Sequence, residues 1–519
     1  MTRTGNLRQE HPALRIGSQS SSPPGILPRR DAALLATLAL GIAARVSQYL
    51  GNRSLWLDEA YLALNILGRD FSGLLRPLDH HQIAPPLFLW AVKLAVSLWG
   101  DSEFALRLVP LIGGILALML FYPLARRMLG PLGAWLATAL LAWSQPLIYY
   151  ASEVKPYATD TLTAVAACAL ALPLIEGPTA ARPSCRRLVL TGVLGALMPW
   201  FSYPSVFVLG GLALAMLVHP LRQRHYRLAL RLTIPPALWG LSLLALYGTV
   251  LRPGLGDPFL RTFWSEFFAP FPPRSLADLY WYLQAWFDFL VFAGGLPFYG
   301  LATFAWLAGG ITLWRAGRRA LVLALVLPLL GATVASMLKV YPLYIRVILF
   351  AVPPTFLLVA CGGETIGRAL SAHSRAIAVV WVALLVLHPF YRSLTVLSRP
   401  WTNEEVRPAI QYIRAHWQEG DRIYVYHGAA PMFAYYAPRF GLDDPALYQV
   451  GRASNGDFTV LQDDVARLPR GRVWALFAHI YSFNGISEQS FLLSQMDGRG
   501  VQLDRLETRN AAVFLYELR

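Results

Sequence analysis

The chain has 519 residues, of which 55% are hydrophobic and 14% charged, with a mean hydropathy of +0.44. A soluble domain holds ~25% charged residues, so this composition excludes an ordinary water-soluble globular protein and calls for lipid as solvent. The net charge of +15 does not mark a nucleic-acid binder: the basic residues sit largely in short loops between apolar runs, where they orient a membrane protein, and form no stripe on a soluble fold.

In chain order, residues 1–28 hold Ser, Pro, Gly and Arg with no apolar core. They do not read as a cleaved signal peptide, and 1–30 is expected to be a disordered cytoplasmic tail. A bilayer core of about 30 Å takes about 20 apolar residues per helix. Eleven runs are candidate spans, at 31–50, 103–125, 132–150, 157–175, 188–202, 204–219, 233–250, 288–313, 320–338, 344–361 and 376–391. Together, 31–391 form the expected transmembrane domain.

Charge sets the orientation. Arg29 and Arg30 precede the first run, and Arg-rich loops follow every even-numbered one: Arg126 and Arg127; Arg182, Arg186 and Arg187; Arg222, Arg224, Arg227 and Arg231; Arg315, Arg318 and Arg319; Arg368 and Arg375. These loops are expected in the cytoplasm and the odd-numbered exits outside. Residues 85–99 are apolar but short and carry Lys93, so they read as an interfacial or re-entrant helix. Pro199 and Pro204 break the long run 188–219 into two tilted helices that meet near Trp200, Phe201 and Tyr203. The aromatic stretch 251–287 reads equally as a membrane-lying lipid entrance or as interface packing. After the last run, 392–519 becomes charged and alternates strand-like runs (422–427, 472–478, 512–517) with helical patterns (403–417, 486–497). It is expected to be a soluble α/β domain outside the cytoplasm. Cys168 and Cys361 lie in apolar runs and Cys185 in a basic loop, without zinc or disulfide spacing.

The chemistry concentrates in the outer loop 51–102. Leu55-Trp56-Leu57-Asp58-Glu59-Ala60-Tyr61 follows the first span directly and leads into an amphipathic helix. Asp58 stands where that helix starts, as a cap, as a general base fixed at the membrane surface, or as both. Further on, His80 and His81 beside Asp79 offer ligands for a metal or a phosphate, or simply a polar turn before Pro85-Pro86; adjacent histidines do not readily share one metal. In the next outer loop, Glu153-Val154-Lys155-Pro156-Tyr157 places Lys155 at the lip of a span, with Pro156 at the first helical position. Lys155 is there to neutralise a phosphate or to snorkel, and Glu153 is its expected ion-pair partner. Lys339 and Arg346 flank a further outer loop against the positive-inside trend. Arg346, expected at a span start, is the better anion ligand because its fork pairs phosphate bidentately.

These pieces together resemble the GT-C membrane glycosyltransferases, in the family-39-like branch that includes the protein O-mannosyltransferases and the lipid A aminoarabinose transferase. The resemblance rests on Asp58-Glu59, on Pro85-Pro86-Leu87, on Gly100-Asp101-Ser102-Glu103-Phe104-Ala105-Leu106-Arg107, and on Glu153-x-Lys155-Pro156-Tyr157. It covers 31–165 well and is architectural beyond. It implies a polyprenyl-phosphate sugar donor, an acceptor (lipid, glycan or protein) bound in an outer cavity, and Asp58 as base with Glu59 in a supporting role. Lys155 and Arg346 are the candidates for the donor phosphate, and His80, His81, Glu153 and Tyr157 for further substrate contacts. The family often has Arg where Lys155 stands. The aminoarabinose enzymes carry Glu-Lys before their Pro-Pro, where this chain has Gln82-Ile83-Ala84. No nucleotide-binding Gly-rich loop is present. No cofactor is implied, and a divalent ion is left open.

Two other classes compete. A secondary transporter predicts charges in mid-span and paired broken helices in two similar halves; Arg45 is the main ionisable residue within a span, and no internal repeat is visible. A non-catalytic lipid-binding or assembly protein is the other. A ligase or polymerase using a lipid-linked oligosaccharide is the close enzymatic alternative.

Overall fold

The computed structural model describes residues 29–176, 183–252 and 257–519. The expected tail up to residue 28 and Arg182 lie outside the described residues.

Among these residues, eight helices are long and apolar enough to cross a bilayer: Asp31–Leu50, Glu103–Met128, Tyr157–Ile175, Ser205–Arg222, Tyr226–Leu251, Arg319–Met337, Leu349–Ser371 and Arg375–Ser398. The other three expected runs hold shorter helices, Pro131–Trp143, Cys185–Phe201 and Tyr299–Arg315. The chain is a multi-pass helical membrane protein. Leu349–Ser371 is the most enclosed of the eight and meets Tyr299–Arg315 backbone to backbone. A Cβ on Gly309 would stand 2.0 Å from the Leu358 carbonyl, and one on Gly362 1.9 Å from that of Ala305. Small residues allow this approach where lipid supplies no hydrophobic drive between helices.

Three expected spans are corrected. The run 132–150 is two helices, α5 (Pro131–Trp143) and α6 (Gln145–Tyr149). Pro146 has no N–H for the carbonyl of Ala142. Buried Arg45 of α1 (Arg29–Leu50) supplies donors instead, to Ala142 at 2.9 Å and Leu141 at 3.0 Å. Arg45 thus seals a helix break. The run 288–313 is interrupted at 294–298, where Gly295 takes φ +74° and Pro297 follows; its apolar continuity hid the break. The run 344–361 becomes a helix only from Leu349, because Pro353 and Pro354 sit in the first turn of Val352–Ser371. Arg346 therefore lies on a turn ahead of the helix and not on its first residues.

The break between Cys185–Phe201 and Ser205–Arg222 falls where Pro204 implied. Helix α3 (Pro86–Trp99) has 14 residues, about 21 Å at 1.5 Å per residue, too short for a straight crossing. Its Lys93 donates to the carbonyls of Ile66 and Leu67 at 2.8 and 3.2 Å. The charge that interrupts the apolar run thus closes the C-terminus of α2 (Leu57–Gly68).

The C-terminal part is a five-stranded sheet in the order β2-β1-β3-β7-β6. The strands are β1 (Arg422–Val425), β2 (Tyr448–Val450), β3 (Gly471–Ala478), β6 (Gly500–Thr508) and β7 (Ala511–Leu518), with a small hairpin of β4 (Ser482–Phe483) and β5 (Ile486–Ser487) between. β1 runs parallel to β2 and β3; β7 is antiparallel to β3 and β6. Alternation along β3 sends Val473, Ala475 and Phe477 to one face and Trp474, Leu476 and Ala478 to the other. The second face shares one core with the loop 51–102: Leu55, Ala60, Leu62, Ala63 and Ile66 pack with Val406, Ile410, Met432 and Tyr436. Leu55 N–H donates to the Tyr436 hydroxyl at 2.9 Å, and that hydroxyl donates to Glu103 at 2.9 Å. The sheet domain therefore holds α2 in place.

Candidate active site

The site is built on the first turn of α2. Glu59 there is fully buried. Arg107, from the helix α4 (Glu103–Met128), grips it with both arms: Nε to Oε1 at 2.9 Å and Nη2 to Oε2 at 2.6 Å. Arg53 adds a contact at 3.4 Å and the Val154 N–H one at 2.9 Å. Burial opposes the Glu59 charge, but Arg107 and then Arg53 outweigh it and hold the carboxyl below its ordinary range. Glu59 thus ties α2, α4 and the segment 153–157 together.

Asp58, one residue earlier, points the other way. The helix cap is Trp56, without a side-chain bond, so Asp58 does not cap. Its carboxylate lies 3.2 Å from Lys155 Nζ and 3.0 Å from an Arg346 guanidinium nitrogen. Gln82 completes the group: its carbonyl accepts from Lys155 at 2.6 Å and its amide reaches Asp58 at 3.5 Å. Burial works against the Asp58 charge, yet Lys155 and Arg346 outweigh it and keep the carboxyl below the usual range. Lys155 is pulled below the ordinary lysine value, by burial first and Arg346 beside it, with Asp58 pulling back. Arg346 is boxed by Trp56, Tyr344 and Trp264, with ring centroids 5.1, 5.6 and 5.9 Å from its guanidinium carbon. Trp264 brings part of the aromatic stretch 251–287 onto the site.

The remaining expected residues lie around this group without a hydrogen bond to Asp58, Lys155 or Arg346. Glu153 does not pair with Lys155. It is fully buried, its charged neighbour is Arg53 at 3.6 Å, and neither carboxylate oxygen has a hydrogen-bond partner. Burial, with Glu59 close by, pushes its carboxyl up to about 7. Pro156 is the cap residue, and Tyr157 opens the helix α7 (Tyr157–Ile175), edge-on to Tyr150 at 5.2 Å. His81 pairs with Asp257 at 2.6 Å and stacks on Phe259, while His80 stacks on Tyr61 at 4.5 Å. The two histidines thus diverge. Among the described residues no group of three or more His, Cys, Asp or Glu side chains gathers as a metal site. Asp58 is flanked by cations, a poor setting for a divalent ion. Sequence reasoning gave Gln82, Arg53 and Arg107 no role; the signal available was their place inside or beside the quoted motifs.

A cavity of about 430 Å³ begins at Gln82 and runs between Ile83, Tyr203, Val250, Leu251 and Leu260. Gln82 links this cavity to Asp58 and Lys155, and a membrane-embedded bundle with a carboxylate and two cations joined to a cavity in this way has the parts for handling a lipid-linked anion.

The fold is that of the GT-C membrane glycosyltransferases. Residues 83–247 match the family described as dolichyl-phosphate-mannose-protein mannosyltransferase. ArnT from Cupriavidus metallidurans bound to undecaprenyl phosphate is similar over 94% of this chain and 97% of its own, with TM-score 0.56 and 14% identity. Its apo form gives 0.53 and 12%, over 94% and 98%. The oligosaccharyltransferase AglB from Archaeoglobus fulgidus, in complex with an inhibitory peptide and a dolichol-phosphate, aligns over 94% of this chain and 74% of its own at TM-score 0.48 and 12% identity. No curated protein sequence matches significantly.

Proposed function

We propose that this protein transfers a hexosyl or pentosyl group from a polyprenyl-phosphate carrier to a hydroxyl of a glycan, lipid or protein acceptor, at the outer face of the membrane. The observation that carries this reading is the Asp58 carboxylate held between Lys155 and Arg346. A sugar leaves a lipid phosphate with charge building on the phosphate oxygen, and fixed cations stabilise that charge. The acceptor oxygen forms its bond to the anomeric carbon as the carbon–oxygen bond to phosphate breaks. The hydroxyl proton passes to Asp58, and the polyprenyl phosphate departs on Lys155 and Arg346.

The arrangement also orders the events. Lys155 and Arg346 engage Asp58 and make it a weak base. An arriving donor phosphate draws both cations to itself and adds a negative charge nearby, and each effect raises the basicity of Asp58. The carboxylate becomes an effective base only when donor is in place. The family match over 83–247 and the cavity at Gln82, with room for the first isoprene units, support a lipid-linked donor.

The test is mass spectrometry of cell-envelope glycans and lipids from cells carrying wild-type protein, no protein, or Asp58→Asn. A sugar-bearing species that disappears in the second and third is expected. Identical profiles in all three would end the proposal. A reporter fused after residue 400 reads the orientation separately.

A further inference from the structure

We propose that an arc of stacked tyrosines and histidines, shared by the outer loop and the C-terminal domain, is the binding site for a carbohydrate on the acceptor. This rests on the transferase reading above and adds the acceptor's chemical class.

Tyr61 stands one helical turn after Asp58 on α2, with His80 stacked on its ring at 4.5 Å and 25°. The C-terminal domain reaches the same helix at Leu57, one turn before Tyr61, through Glu404. Tyr481, at the base of the β4–β5 hairpin, stacks on His427 at 5.3 Å and 9° and meets His479 edge-on at 5.2 Å. Glu404 joins this group to the reacting end: one oxygen accepts from the Leu57 N–H at 3.2 Å, the other bonds His479 Nδ1 at 2.7 Å. The arc therefore ends beside the residue that carries the base.

Both imidazoles that the C-terminal domain contributes to the arc are oriented from behind. Buried Glu488 holds His427 Nε2 at 2.9 Å and is itself held by Tyr426 and Ser454. Glu404 holds His479 by Nδ1. Each ring thus keeps one nitrogen for a ligand, His427 Nδ1 and His479 Nε2, as imidazoles do when an outer partner fixes the tautomer. These carboxylate–imidazole pairs lie at a surface where Tyr481 remains 39% exposed. Two of the arc's residues, His80 at φ +60° and His479 at φ +48°, are left-handed without being glycine, and such strain persists where the surroundings enforce it. Flat ring faces with a few oriented donors and acceptors suit a sugar, whose C–H faces pack on aromatic rings and whose hydroxyls both donate and accept. The Asn484-Gly485 turn, left-handed at both residues, fixes the hairpin that carries Ile486 out beside the arc.

The test uses the full chain in nanodiscs and a panel of methyl glycosides (hexose, N-acetylhexosamine, pentose) at millimolar concentration, read by saturation-transfer NMR. At least one glycoside is expected to bind the wild type. Tyr481→Ala and His427→Gln should each weaken it about five- to tenfold, and Tyr481→Phe should retain most of it. Undecaprenyl phosphate binding should be unchanged in all three variants. Equal binding in wild type and variants, no glycoside binding to the wild type, or displacement of the glycoside by undecaprenyl phosphate would each overturn the assignment. The two readings fail separately: Asp58→Asn with intact sugar transfer removes the catalytic reading and leaves glycoside binding at Tyr481 to stand or fall alone.

Discussion

Lys155 meets Asp58 by two routes: its Nζ lies 3.2 Å from the carboxylate, and it donates at 2.6 Å to Gln82, whose amide turns back to the same carboxylate at 3.5 Å. Asp58, Lys155, Gln82 and, through its own contact with Asp58, Arg346 are thus one electrostatic unit. Changing any member alters the others.

Asp58→Asn removes the proton acceptor and also frees both cations. Sugar transfer should fall by ~10²–10⁴-fold, while undecaprenyl phosphate binds at least as tightly as to wild type. Single-turnover transfer and lipid-binding measurements check the two halves. Asn serves as well as Asp at a helix start, and Asp58 makes no cap here, so thermal stability should hold. Loss of donor binding would assign Asp58 to the donor and not to the base.

Lys155→Ala and Arg346→Ala should each raise the KM for the lipid donor about ten- to a hundredfold, the cost of one charge-assisted contact. Arg346→Lys should recover little, since the aromatic box around the guanidinium rewards a flat cation. Donor kinetics untouched in both alanine variants would remove these residues from the phosphate site.

Asp58 should also titrate differently with and without donor. The cations hold the Asp58 carboxyl below its ordinary value in the free protein. Activity therefore falls as pH drops through that depressed value in kcat/KM for the donor, and through a higher one in kcat. Coincident acidic limbs in the two profiles would mean that the donor phosphate does not take over the cations.

Asp58, Lys155 and Arg346 were legible singly because each breaks a local expectation: a carboxylate at the membrane surface, or a cation on an outer loop. Their convergence was not, because it depends on the path of the chain through several helices. The breaks at Ser144 and at 294–298 escaped for a different reason. Apolarity continues through both, and only Pro146, Gly295 and Pro297 signalled them. In the C-terminal domain, strands β1, β3 and β7 stood out as apolar runs, whereas edge strand β6 exposes most of its polar sequence and did not. The pairing of Glu153 with Lys155 was read from adjacency, but Pro156 turns Lys155 toward Asp58 and leaves Glu153 facing Arg53.

Glu59→Gln separates structure from chemistry. It leaves the buried guanidiniums of Arg107 and Arg53 short of their counter-charge, and breaking a buried pair costs ~3–5 kcal/mol. The thermal midpoint in detergent should drop clearly, and residual transfer at low temperature should persist in the folded fraction. A variant as stable as wild type but inactive would make Glu59 the base in place of Asp58.

Glu153 sets a pH dependence of the fold. Its carboxyl is pushed up to about 7, by burial first and by the Glu59 charge second, against ~4.3 in an unfolded chain. The folded state therefore holds a proton that the unfolded state has lost between these values, and stability falls as pH rises through that window. It is fully present below the unfolded value and lost on passing about 7; the difference is on the order of 3 kcal/mol. Glu153→Gln carries the neutral shape at every pH. Thermal unfolding of both proteins from pH 5 to 8 should show wild type losing stability across the range and Glu153→Gln nearly level, with the variant the more stable at pH 8. Parallel curves would mean that Glu153 is charged throughout, with Arg53 at 3.6 Å sufficient to hold it.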